Sequence, residues 1–252
     1  CNQSIEGERI SHGKWWLPAQ RTENSTTTHI LPRECRRFSD RIQGNPEGIL
    51  WQCLRLYRMK TLVIGASGAT GRLVVEQLLD RGVEVSVIVR SLDTLPDHEN
   101  LSKIQASVAN VTSAELAIHT KNCSAVVSCL GHNLTFKGIF GKPRMLVTDT
   151  LQCICTAIES NRSGDAVKVI LMNTTGNSNR DIPEIPELSQ RIVIAILRVL
   201  LPPHLDNEKA ADYLRTKIGQ NDKAIEWVAI RPDALTDEEE IREYEVHASP
   251  IR

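Results

Sequence analysis

The chain has 252 residues, 41% hydrophobic and 24% charged, a balance that suits one large or two small globular domains with a substantial core. Its 30 Lys and Arg against 31 Asp and Glu leave a net charge of −1, so bulk electrostatics point to no nucleic acid and no anionic membrane as partner. The longest apolar run, Ile192 to Leu201, is broken by Arg198 and falls short of a bilayer span, so a buried or surface-docked helix is expected there.

Residues 1 to 58 read unlike the rest. Ser, Thr, Asn, Gly and Pro interrupt every periodic run, and no continuous apolar segment supplies a secretory signal. Glu6, Glu8, Glu23, Glu34, Asp40 and Glu47 argue against a transit peptide. The expectation is an unstructured extension, read as translated upstream sequence, with the functional chain starting at Met59. Trp15, Trp16 and Trp51 support the alternative, an organised N-terminal extension.

From Lys60 onward apolar, β-branched runs alternate with helix-length segments. The pattern predicts a strand at Thr61–Ile64, a helix at Ala69–Arg81 closed by Gly82, and a strand at Val83–Val89. A weaker strand follows near Lys103–Ala106, then a helix at Ser113–Lys121, a strand at Ala125–Leu130 and a helix at Arg144–Ser160. A strand at Val167–Met172, a helix at Asn207–Gly219 and a strand at Ile225–Ile230 complete the series. Strands alternating with helices imply an α/β fold, a Rossmann-type doubly wound parallel sheet with right-handed crossovers, as one domain over residues 59–252.

The motif that carries chemistry is "GASGATG", between the first strand and the first helix. Gly65 permits a tight turn, Gly68 lets the backbone approach a pyrophosphate, and Gly71 lets helix pack closely on strand. The helix N-terminus from Ala69 offers unpaired N–H groups and a partial positive charge, and Ser67 and Thr70 add hydroxyl donors. No Gly-Lys-Ser/Thr follows, so this is not a P-loop. An acidic residue at the end of the second strand would bind the ribose 2′-OH of NAD; Arg90 and Ser91 stand there instead. A guanidinium pairs with a 2′-phosphate, which favours NADP(H). The alternative for Arg90 is a solvated charge at a strand end.

G-x-x-G-x-x-G in this setting resembles the short-chain dehydrogenase/reductase superfamily. More narrowly it is similar to the atypical NAD(P)H-binding branch that includes biliverdin-IXβ/flavin reductases and NmrA-like proteins. "VSVIVRS", "AVVSCLGHN", "VILMNTTG" and "ADYLR…IEWVAIRPDAL" carry the likeness to about Leu235. The resemblance implies cofactor contacts at Asn110 and Val111, where family members often have Asp, at Leu130 and Gly131 after the fourth strand, and at Asn173 and Thr174 beside the nicotinamide. It implies the same for Arg231 and Pro232, although Pro232 also serves simply to end a strand. Family members continue beyond the sixth strand, so the substrate side is expected to be incomplete in a chain stopping at Arg252.

Many enzymes of the superfamily use Tyr-x-x-x-Lys to pass a proton during hydride transfer. "YLRTK" matches at Tyr213 and Lys217, yet aligning "ADYLR" with the family's helix puts the pair at Pro203 and Asn207, or one residue on at His204 and Glu208. Tyr213 is therefore expected to pack toward the core. In the atypical branch the protein mainly orients the nicotinamide, so Thr174 and His204 are the candidate catalytic residues, with Thr175 also near the pocket. His204 is alternatively a loop histidine beside Pro202 and Pro203, and His132 either a neighbour of cofactor phosphate or an exposed loop residue. Specificity is expected in 132–143, with Phe136 and Phe140 available to stack on a planar ligand, in 176–188, and after Pro232. The segment 182–201 is expected to form a lid or a helix over the pocket.

Seven cysteines, with no CxxC pair and no His/Cys cluster, suggest reduced thiols in a cytoplasmic protein and no metal site. The function expected is an NADPH-dependent oxidoreductase acting on a small-molecule substrate, a flavin, quinone or carbonyl acceptor. The alternative is a non-catalytic NADP(H)-binding redox sensor with a protein partner, and a sugar-nucleotide epimerase ranks last for want of the Tyr-Lys pair.

Overall fold

The structure, a computed structural model, describes residues 59–132, 141–161, 165–178, 180–181, 188–232, 235 and 244–247. The N-terminal extension 1–58, Phe136 and Phe140, and most of the segment after Pro232 lie outside the described residues.

Six parallel strands form one sheet in the order β3-β2-β1-β4-β5-β6. They are β1 (Lys60–Ile64), β2 (Glu84–Val89), β3 (Leu101–Gln105), β4 (Ala125–Ser128), β5 (Val167–Met172) and β6 (Ile225–Ile230). The α-helices among the described residues are α1 (Ala69–Asp80), α2 (Ser113–Thr120), α3 (Leu146–Ser160), α4 (Leu188–Leu200) and α5 (Pro202–Tyr213). This is the doubly wound arrangement expected from the alternating pattern, including the weak third strand.

The strand residues are apolar on both sides because both faces are covered. On one face Val63, Val85, Val87 and Val89 pack with Val75 of α1. On the other, Leu62, Ile64, Val126, Val169 and Leu171 meet Leu116 of α2, Leu151, Ile154 and Ile158 of α3, and Ala210 of α5. Burial of such side chains contributes roughly 1.5–3 kcal/mol each, so the strand sequence itself drives the layering.

Local signals fix several boundaries. Gly82, at φ +71, follows α1 where a left-handed residue lets the chain leave a helix. Thr112 and Glu115 form a capping box at the start of α2, the hydroxyl accepting from Glu115 N at 3.2 Å and the carboxylate from Thr112 N at 2.8 Å. α5 departs from expectation: it begins at Pro202, five residues before the predicted start, and its α-helical part ends at Tyr213. Proline in a first turn sacrifices no intrahelical hydrogen bond, which is why "PP" opens the helix instead of standing in a loop. A π-helical turn, Leu214–Ile218, follows and closes on Gly219.

Candidate functional site

The strand order reverses between β1 and β4, and the turns leaving these two strands meet there. Gly65 has φ +80, and a Cβ on it would lie 2.6 Å from the carbonyl of Cys129. A Cβ on Gly71 would lie 2.1 Å from Gly65 O, so α1 starts directly on the turn that leaves β1. These two glycines are required by packing.

Gly68 and Gly131 are of another kind. Gly68 is the N-cap of α1, where no side chain caps the helix and no acid occupies the first turn. Among the described residues a Cβ there would meet only Gly65 O, at 3.3 Å, and a Cβ on Gly131 would meet nothing within 4 Å. The loop thus leaves exposed backbone at Gly68 beside the first-turn N–H groups of Ala69, Thr70 and Gly71. Ser67 and Thr70 are partly exposed beside it, with Ala66 buried beneath. Exposed backbone, uncapped N–H groups and a first turn without an acid fit the diphosphate of a dinucleotide.

Arg90 and Ser91 are exposed at the carboxyl end of β2, next to β1. Arg90 makes no ion pair among the described residues, and its carbonyl accepts from Gln105 Nε2 at 3.4 Å. Lys103 holds the following turn, donating to Leu92 O at 3.0 Å and Leu95 O at 2.6 Å and pairing with Asp97 at 2.7 Å. That bond and the charge of Lys103 hold the Asp97 carboxyl below its ordinary range. Asn110 is exposed in the tight turn Val108–Asn110. Val111 borders a shallow cleft lined also by Val108, Pro143, Leu146 and Cys153.

The end of β5 is tied to α5. Asn173 is buried; its Nδ2 donates to Asn207 O at 3.1 Å, and its Oδ1 accepts from Thr174 N at 2.9 Å and from the Asn177 amide. Thr174 Oγ1 accepts from Gly176 N at 3.3 Å, which leaves its own proton to donate. Gly176 lies against His204: a Cβ there would approach His204 Cε1 to 3.2 Å. His204 is therefore no loop histidine. It sits in the first turn of α5 with its side chain 9% exposed, and its Nε2 is buried without a hydrogen-bond partner among the described residues. Burial pushes its pKa below the ordinary value, Glu208 opposes that from 3.9 Å, and Arg198 reinforces it. Arg198 of α4 holds Glu208 through two hydrogen bonds, 2.8 and 2.7 Å long.

His132 is not an exposed loop residue. Its side chain is 6% exposed and its Nε2 lies 2.8 Å from Oδ2 of the buried Asp206. Tyr213 is half-buried against the main core, and that burial pushes its phenol up to about 12, the opposite of what a proton-passing tyrosine needs; Lys217 is exposed on the π turn. Of the segment 182–201, residues Leu188–Leu200 form the helix α4, and 182–187 lie outside the described residues. The helix docks on α5 through Arg198, while Leu188, Ile192, Val193, Ile196 and Leu200 are at least half exposed.

Cys123, Cys129, Cys153 and Cys155 are free thiols, and burial raises Cys123 and Cys129 to about 11 and Cys155 to about 12. Among the described residues no group of three or more His, Cys, Asp or Glu is placed to hold a metal ion. None of their helices is long and apolar enough to cross a membrane.

A parallel sheet with an open, glycine-lined turn at its switch point defines a Rossmann-type nucleotide-binding protein. The chain belongs to the NAD(P)H-binding family whose model matches residues 65–250, in agreement with the resemblance carried by "GASGATG". Solved structures share the fold. The oxidoreductase ylbE from Lactococcus lactis is 20% identical, with a TM-score of 0.53 over 72% of each chain. A Rossmann-fold NAD(P)-binding family protein from Shigella flexneri is 20% identical, with a TM-score of 0.50 over 77% of each. Epimerase Mth375 from Methanothermobacter thermautotrophicus is 15% identical, with a TM-score of 0.52 over 74% of this chain and 55% of that one. Against the curated proteins the sequence finds no match.

Proposed function

We propose that the protein is an NADPH-dependent oxidoreductase that passes hydride to a small or planar organic acceptor of flavin, quinone or carbonyl type. The observation that carries the reading is the uncapped start of α1 at the exposed Gly68, on the turn leaving β1, in a chain of the NAD(P)H-binding family. The bound nicotinamide nucleotide supplies the hydride. The first-turn N–H groups of α1, with Ser67 and Thr70, hold the diphosphate, and Arg90 with Ser91 takes the 2′-phosphate. Asn110 and Val111 flank the adenine side, Leu130 and Gly131 the turn from β4, and Asn173 and Thr174 the nicotinamide side.

Thr174 has a hydroxyl proton to donate, and His204 has a buried Nε2, unpartnered among the described residues, two residues from Asp206 on the same helix. Together they serve as the proton relay to the reduced acceptor, orientation being the larger contribution of the protein. Because burial keeps the imidazole neutral at neutral pH, His204 acts as a shuttle and not as a standing cation.

The position of the usual Tyr-Lys pair, occupied by Pro203 and Asn207, favours a second reading, a redox sensor that binds NADP(H) and signals through a protein partner. One assay separates the two: the protein is mixed with NADPH and a panel of flavins, quinones and aldehydes, and absorbance of the reduced nicotinamide is followed. Oxidation with any acceptor class supports the enzyme; tight binding without oxidation by any of them refutes it in favour of the sensor.

A further inference from the structure

We infer that Asp206 and His132 form a positioning pair that sets the cofactor turn at Leu130–His132, an inference resting on the assignment of that turn to the cofactor. Asp206 is 0% exposed, and a buried carboxylate is tolerated only where its lone pairs are filled. Here they are. Oδ2 accepts from Val147 N at 2.8 Å, and Oδ1 accepts from Thr148 N at 2.9 Å and from Thr148 Oγ1 at 2.6 Å. These contacts cap α3 from a separate helix, and they are needed because the helix's own N-cap, Met145, has no side-chain hydrogen bond to offer.

Capping does not account for the remaining contact. His132 Nε2 reaches the same Oδ2 at 2.8 Å, across a sequence separation of 74. The turn is consequently pinned at both ends. At its start Cys129 N donates to Ile64 O at 2.8 Å, which holds it to β1; at its end the His132 ring is held on α5. Between these anchors lies Gly131, where a Cβ would meet nothing within 4 Å among the described residues. The next residue of α5, Asn207, gives its carbonyl to Asn173. One short stretch of α5 thus holds the backbone beside the cleft at the ends of both β4 and β5.

Asp206 therefore has two separable tasks, and two variants of the full chain divide them. His132→Ala removes the anchor of the turn and leaves the cap of α3 in place; Thr148→Val removes part of the cap and leaves the turn alone. NADPH affinity is read by titration of cofactor fluorescence, and stability by thermal unfolding of the apo protein. His132→Ala is expected to raise the Kd for NADPH by about tenfold, the worth of one well-formed hydrogen bond. Thr148→Val is expected to lower Tm with Kd unchanged. His132→Gln, whose amide reaches as far as Nε2, restores binding, whereas the shorter His132→Asn does not. Wild-type affinity in His132→Ala overturns the inference, as does equal binding by the Gln and Asn variants or a Kd that tracks Tm across the set. If the unaltered protein binds neither NADPH nor NADH, the assignment of the cleft itself fails, and the pair with it.

Discussion

Gly71→Ala tests the packing logic of the glycine loop in a direction opposite to helix propensity. Position 71 lies in the first turn of α1, and Ala is ordinarily better than Gly in a helix by up to about 1 kcal/mol. Here the new Cβ would stand 2.1 Å from Gly65 O, 2.8 Å from Gly65 C and 2.9 Å from the Cα of Ala66. All three neighbours are backbone, so no rotamer change relieves them. Ordinary contact begins near 3.4 Å, and the start of α1 must withdraw from the turn by more than 1 Å. Overpacking of this kind costs about 1–3 kcal/mol, which outweighs the propensity gain over most of that range. A domain of this size loses roughly 2–4 °C of Tm per kcal/mol. A Tm lower by several degrees, with weakened NADPH binding, is expected from thermal unfolding and fluorescence titration. A Tm equal to or above that of the unaltered protein would refute the argument.

Gly131→Ala separates packing from binding: with nothing within 4 Å of the new Cβ, Tm should hold while NADPH Kd rises, and a Kd at the wild-type value removes Gly131 from the cleft. Arg90→Glu places a carboxylate where the 2′-phosphate is assigned. It should weaken NADPH far more than NADH in parallel titrations, and equal weakening sinks that assignment. His204 is held neutral by burial, its pKa below the ordinary 6.5, so the unfolded chain takes up its proton first as pH falls. The stability it contributes is complete above about pH 6.5 and is lost as pH falls toward the depressed value. Tm measured between pH 7.5 and 5.5 should decline less steeply in His204→Gln; an unchanged slope eliminates His204 as its source.

The glycine loop was legible in the sequence because its determinants are local. Strand, turn and helix follow one another within Lys60–Asp80, and the demands on Gly65 and Gly71 arise from backbone a few residues away. The sheet was legible for a related reason: parallel strands covered on both faces are written as apolar, β-branched runs. The start of α5 was not, because "PP" serves equally as a loop or as a helical first turn, and the docking of α5 on α3 makes the choice.

What escaped the sequence is the wiring of the cleft. His132 and Asp206 are 74 residues apart, Val147 and Asp206 59, and no spacing rule joins them. His204 reads from the sequence as a loop residue or a catalytic one; burial against Gly176, with Nε2 unpartnered, follows from how α5 crosses the end of β5. The sequence alone determined the α/β class, the order of its elements, the dinucleotide loop and the basic residue at the end of β2, all products of short-range sterics and hydrophobic period. Only the tertiary structure decided which glycines are packed and which stand open, and which buried acid holds the turn beside them. Those depend on crossovers that bring distant segments together, where a buried charge must find every partner within hydrogen-bond reach.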